Sequence, residues 1–144
     1  MSSHEEFMLI AQAMSSRSHD PSTKVGSVIV DNGNIVALGF NHVPQRIQFT
    51  QKQIEDRSWK YPRVIHAEID AILKLGKQIV SYPIMYTTHY PCSACATLIV
   101  ESGIKEIYTH KIPIDMLERW GESMKLSSQI LQEGGVFVNY LDGP

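Results

Sequence analysis

Two cysteines, one histidine and a lone carboxylate are the residues of this chain whose types and spacing can do metal chemistry. Cys92 and Cys95 stand three apart in Tyr90-Pro91-Cys92-Ser93-Ala94-Cys95-Ala96 and are its two cysteines. His66 and Glu68 stand two apart at the head of the apolar run that ends at Leu73. Both stretches read as opening turns of helices. On a helix, positions i and i+3 share a face, so the two thiols meet. Positions i and i+2 diverge, so His66 and Glu68 reach one volume only if it lies off the helix end, toward which side chains lean. The expected metal position is therefore where two helix N-termini converge. Helix dipoles and a cation both favour thiolate there. Two thiolates and a neutral imidazole balance one Zn(II) per chain and leave a place for water. That is the ligand set of a catalytic zinc, not of a closed structural one. Glu68 stays unbound and free to move protons.

Each half alone has plainer readings. A His-x-Glu is common on exposed helices, and Cys-x-x-Cys also serves as a redox pair or as half of a structural zinc site. A redox pair leaves His66 and Glu68 unexplained. A structural site needs a fourth donor, for which His89 is the near candidate. Together the halves match the His-x-Glu…Pro-Cys-x-x-Cys signature of zinc deaminases.

With those residues in view, the chain resembles the cytidine deaminase-like superfamily and, within it, the deoxycytidylate (dCMP) deaminases. The resemblance runs from about Met14 to Tyr140. It rests on Arg17-Ser18-His19-Asp20-Pro21-Ser22-Thr23-Lys24-Val25-Gly26, Gly39-Phe40-Asn41, Tyr61 to Glu68, Met85-Tyr86, Pro91 to Cys95 and Ser102 to Glu106. It implies His66, Cys92 and Cys95 as zinc ligands, Glu68 as proton shuttle, and the amide of Ala67 and carbonyl of Tyr90 as base-holding groups. It also implies Asn41 as a nucleoside contact, with a turn-forming Asn after a strand as the less favoured alternative. Arg17 and Lys24, which flank the Asp20-Pro21 loop, are candidates for the 5′-phosphate, with solvated surface charge as the alternative. His89, Arg119 and Trp120 are candidates for the pocket mouth, with an interface or core position open for Trp120.

The resemblance further implies a homo-oligomer, hexameric by analogy, making dUMP for thymidylate synthesis. Regulated relatives answer to dCTP as activator and dTTP as inhibitor, with magnesium on the triphosphate. Where many carry Gly-Tyr-Asn-Gly, this chain has Gly39-Phe40-Asn41-His42, so Phe40, His42 and nearby Arg46 mark a possible but altered effector site. Other readings stay open: a cytidine or tRNA-adenosine deaminase of the same fold, or a non-catalytic nucleotide sensor.

Composition bounds these readings. A length of 144 residues, 43% hydrophobic and 19% charged, is expected to form a single domain over 1–144. No apolar run reaches the length of a membrane span, and Met1-Ser2-Ser3-His4-Glu5-Glu6 lacks a basic, apolar leader, so a cytoplasmic location is expected. A net charge of −2 argues against grip on a long nucleic acid. Between Val43 and Arg63, the cations Arg46, Lys52, Arg57, Lys60 and Arg63 outnumber Glu55 and Asp56. That insertion is read either as a solvated excursion or as a phosphate-facing one.

The elements that must carry the site follow from periodicity. A helix is expected over Glu5–Met14, then a hairpin of Lys24–Val30 and Ile35–Phe40 turned at Asn32-Gly33. A short helix near Gln51–Ser58 precedes a buried one over Val64–Leu75. Strand Ile84–Thr88, helix Cys92–Glu101 and strand Glu106–Thr109 follow. His110–Arg119 reads as loop interrupted by Pro113, Gly121–Glu133 as helix and Val136–Tyr140 as the last strand. Strand–helix–strand units imply parallel pairing at the C-terminal end. The expected fold is a three-layer α/β/α sandwich of the cytidine deaminase type. Its five-stranded mixed sheet has an antiparallel opening hairpin and parallel C-terminal strands.

Overall fold

The computed structural model describes residues 2–141. Helix α1 (Ser3–Ser15) starts at Ser2, whose hydroxyl accepts from the amide of Glu5. Strands β1 (Gly26–Asp31) and β2 (Asn34–Phe40) pair antiparallel. Asn32 and Gly33 take φ of 53° and 75° between them. Positive φ at both central residues is the I′ geometry that matches strand twist, and Asn-Gly is its cheapest sequence. Two short helices, α2 (Gln51–Glu55) and α3 (Arg57–Lys60), follow, and then α4 (Ala67–Leu75). Strand β3 (Ile84–Thr87), helix α5 (Ser93–Glu101), strand β4 (Glu106–Thr109), helix α6 (Ile114–Glu133) and strand β5 (Phe137–Tyr140) complete the chain.

The sheet order is β2-β1-β3-β4-β5, with β1 antiparallel to both neighbours and β3, β4 and β5 parallel. The expected mixed sheet is the one found. Period-two alternation splits the core across it. Val28, Val30 and Tyr86 pack under α1 with Met8 and Ala11. Ile29, Met85 and Ile107 turn the other way, toward Ala71, Cys95, Ile99 and Leu131 of α4, α5 and α6. Helices α4, α5 and α6 thus share one face, with α1 opposite. No helix among the described residues is long and apolar enough to cross a membrane.

Strand β1 begins at Gly26, not Lys24, the one short helix expected near Gln51–Ser58 is the pair α2 and α3, and two further boundaries differ from the sequence reading. Helix α4 begins at Ala67, not Val64, because Ile65 pairs with His42 in an isolated antiparallel bridge and stays extended. Residues 114–133 form one helix where a loop and a shorter helix were expected. Pro113 opens it: its carbonyl accepts from the amides of Met116 and Leu117. A proline is tolerated at a helix start because no donor is needed there. Gly121 then sits inside the helix at a cost of about 1 kcal/mol relative to alanine. The same helix leaves Ile114, Leu117 and Trp120 exposed.

Gly39 sets the seat of α4. A Cβ there would lie 2.4 Å from the Ala67 carbonyl oxygen and 2.5 Å from the Ala71 nitrogen. Helix α4 approaches β2 that closely only over a glycine. Gly39→Ala is expected to cost about 1–3 kcal/mol through backbone displacement, measured as a lowered midpoint in urea. Since α4 carries His66 at its head, the same change should loosen the site.

Candidate metal and active site

The site forms where α4 and α5 begin. His66 is the N-cap of α4 and Cys92 the N-cap of α5, both in extended conformation, and neither side chain caps its own helix. Their carbonyls start the helices instead, accepting from the amides of Asp70 and Ala96 at 2.9 Å each. Both side chains are thus free to point off the helix ends. His66, being non-helical, escapes the divergence that a helical i, i+2 pair would suffer. Ser127 of α6 donates to the Pro91 carbonyl at 2.7 Å and steadies the turn before Cys92.

His66 Nδ1 lies 3.1 Å from Cys95 Sγ and 3.5 Å from Cys92 Sγ, and the sulfurs are 3.4 Å apart. Among the described residues these three form the one group of at least three such side chains able to share an ion. Tetrahedral zinc with bonds of about 2.0–2.3 Å has ligand–ligand edges of about 3.3–3.8 Å. The triangle fits a zinc ion with little adjustment. His66 is exposed and Cys92 half-buried, while Cys95 is fully buried, so the open side faces solvent. His89, the candidate fourth donor, lies outside this group and meets Thr88 Oγ1 through its Nδ1.

The electrostatics suit a soft cation. The Cys95 thiol first, and then His66, hold Cys92 down to about 4, while the same sharing pushes Cys95 up. The hydrogen bond to Cys92 raises His66 against the opposing effect of burial. Glu68, 4% exposed, is pushed up to about 7 by burial, with its own amide and the His66 charge pulling the other way. The Cys95 thiol pulls the carboxyl down as well, and Glu68 stands two residues past His66 in the first turn of α4.

The remaining sequence candidates scatter around this centre. Ala67 is buried in the first turn of α4, and Tyr90 is buried just before Pro91. Asn41 spends its amide on the chain itself: Nδ2 donates to the Thr23 carbonyl at 2.8 Å and Oδ1 accepts from Val25 at 2.9 Å. Arg17 and Lys24 are exposed, the former with its guanidinium 5.9 Å from the Phe40 ring centroid. Arg46, Arg119 and Trp120 are exposed as well. Of the five insertion cations, Lys60 turns inward and pairs with Asp20 at 3.1 Å, and Arg63 lies over the Trp59 ring at 4.5 Å. A charge count cannot tell a buried latch from a surface cation. Asp70 and Ser127 were also missed. Asp70 had left one signal, a second acid inside an otherwise apolar helical run.

The sheet order and the donor set place the chain in the cytidine deaminase-like class of folds. It belongs, more narrowly, to the family of the cytidine and deoxycytidylate deaminase zinc-binding region, which matches residues 1–111. An uncharacterized deaminase from the luxG 3′ region of Aliivibrio fischeri is 36% identical over 137 residues, 95% of this chain and 92% of its own length. Human deoxycytidylate deaminase is 37% identical over 109 residues, covering 72% of this chain. The chain spans 61% of the human enzyme's length. The crystal structure of dCMP deaminase from cyanophage S-TIM5 in complex with dCMP and dUMP shares 26% identity and a TM-score of 0.75, covering 95% of each chain.

Proposed function

We propose that this chain hydrolyses dCMP to dUMP and ammonia around a zinc held by His66, Cys92 and Cys95. The observation that carries this reading is the open donor triangle at the heads of two helices, with the buried carboxylate of Glu68 two residues past His66. Bound there, zinc supplies Lewis acidity that brings a water's pKa to about 7. Glu68 does the proton work. It accepts one proton of the water and passes it to ring N3, then takes the proton of the new C4 hydroxyl and delivers it to the departing amino group as C4=O forms. The C4–O bond forms, the C4–N bond breaks, and ammonia leaves. A carboxylic group near neutrality fits this service, because it must take up and give back a proton in each turnover. The Ala67 amide and the Tyr90 carbonyl, at the heads of the two site segments, are proposed to hold the base against the donor triangle.

The choice of dCMP is supported by deoxycytidylate deaminases among the relatives and by the dCMP- and dUMP-bound neighbour. Arg17 and Lys24 are the proposed phosphate contacts, both exposed and close in sequence to the loop that Asn41 anchors. Purified, zinc-loaded protein is expected to turn over dCMP at least about tenfold faster than deoxycytidine or dCTP. A tenfold ratio corresponds to about 1.4 kcal/mol, which a single charged phosphate contact can supply. Equal rates on all three would remove phosphate recognition from the proposal. The same panel with dCTP, dTTP and magnesium reads whether the Gly39-Phe40-Asn41-His42 run answers to a triphosphate. For assembly, the exposed Ile114, Leu117 and Trp120 offer an apolar surface to a second copy. Light scattering on the eluted protein tests the proposed homo-oligomer.

A further inference from the structure

Asp70 has no part in the proton chemistry, yet it is 4% exposed and its carboxylate is fully engaged. Oδ2 accepts from the Phe40 amide at 3.1 Å, and Oδ1 meets His42 Nε2 at 3.0 Å. Lys74 Nζ reaches both oxygens at 2.9 Å. Burial works to raise this carboxyl, but His42, Lys74 and the Phe40 amide outweigh it and hold it below the usual range. It is therefore an acceptor only. The other ring nitrogen of His42, Nδ1, faces the Val43 carbonyl at 2.8 Å, again an acceptor. The ring thus spans the Asp70 carboxylate and the Val43 carbonyl.

The backbone of His42 is equally committed. Its amide donates to the Ile65 carbonyl at 3.1 Å, and the Ile65 amide donates back at 2.8 Å. Ile65 immediately precedes His66. One residue after β2 thus grips the approach to α4 through its backbone and the first turn of α4 through its ring. His66 and Glu68 lie between the two grips.

We propose that His42 and Asp70 form a positioning clamp that fixes the segment carrying His66 and Glu68. Neither residue touches the reacting atoms. Their effect is to hold the ligand and the acid at one separation, where a displacement of about 1 Å costs about 10²-fold in rate. The rate arm of this inference rests on the deaminase reading; the metal and spectroscopic arms do not.

The test uses the full, zinc-loaded chain. Asp70→Asn and His42→Phe should lower kcat about 10–100-fold with KM within about threefold, and should speed zinc release to a chelator about tenfold. His42→Gln, which keeps one donor, should fall between wild type and His42→Phe, and it serves if the harsher variants do not fold. Lys74→Ala removes a half-exposed partner and should leave kcat and zinc release within about twofold. Nitrogen-15 signals of the His42 ring should move in Asp70→Asn relative to wild type. Unchanged kcat and zinc release in His42→Phe and Asp70→Asn, or His42 ring signals that Asp70→Asn leaves in place, overturns the clamp. A wild type that is inactive on every nucleotide counts against the deaminase reading alone. Zinc release and the nitrogen spectrum then still decide the clamp.

Discussion

Glu68→Gln is expected to lower kcat by at least about 10³-fold while leaving the protein folded and its zinc in place. General acid–base catalysis is commonly worth about 10²–10⁴-fold for a single proton transfer, and here one carboxyl is assigned several. Glutamine keeps the shape and the hydrogen-bonding oxygen but carries no proton to exchange. Because the side chain is 4% exposed, solvent cannot readily take over its role. Stability should hardly change, since a neutral amide removes the charge that burial penalises. Cys92→Ala provides the contrast. It deletes one of the three donors and should cost the zinc itself, together with the folding free energy coupled to it. Zinc content by elemental analysis, read beside turnover, separates the two. A Glu68→Gln protein that retained zinc and wild-type turnover would move the proton chemistry to another group.

The donor triangle could be read from sequence because each half has a fixed spacing and the known signature joins the halves across the 26 and 29 residues that separate His66 from the cysteines. Cys92 and Cys95 need only one helical turn, and the position of His66 ahead of an apolar run already placed it at a helix head. The sheet was legible for a similar reason: Asn32-Gly33 fixes the hairpin, and strand–helix spacing dictates the parallel half. What sequence could not supply were contacts at similar separations that no signature marks. Lys60 and Asp20 are 40 apart, and His42 and Asp70 are 28 apart. No periodicity encodes such a partner. The extended Ile65 was hidden for the same cause, since its bridge to His42 overrides the helical pattern that begins at Val64. The single helix over 114–133 was hidden by treating Pro113 as an interruption when its carbonyl in fact opens the first turn.

Lys60→Met is expected to destabilise the fold by about 3–5 kcal/mol, the usual cost of removing one partner from a buried ion pair. Lys60 is 4% exposed and Asp20 7%, so the abandoned carboxylate would have little water to turn to. Asp20 Oδ1 also accepts from the amides of Ser22 and Thr23 at 2.8 and 3.0 Å, and Ser18 Oγ donates to the Asn41 carbonyl at 2.8 Å. The pair therefore fastens the insertion to the loop that bears Lys24, the proposed phosphate contact. Burial works to raise the Asp20 carboxyl, but the two amides and Lys60 hold it below its ordinary value of 3.8. A depressed folded pKa contributes stability that is complete above about pH 4 and lost as pH falls through the folded value. The Asp20 contribution should accordingly be lost only below about pH 4, and the stability gap between wild type and Lys60→Met should narrow there. Asp20→Asn with Lys60→Met should recover much of the loss, because no uncompensated charge then remains buried. Urea titrations of the three variants at pH 7 and pH 3.5 read both effects. A Lys60→Met protein within about 0.5 kcal/mol of wild type at pH 7 would make Lys60 a surface cation after all, free to meet a phosphate as the charge count first implied.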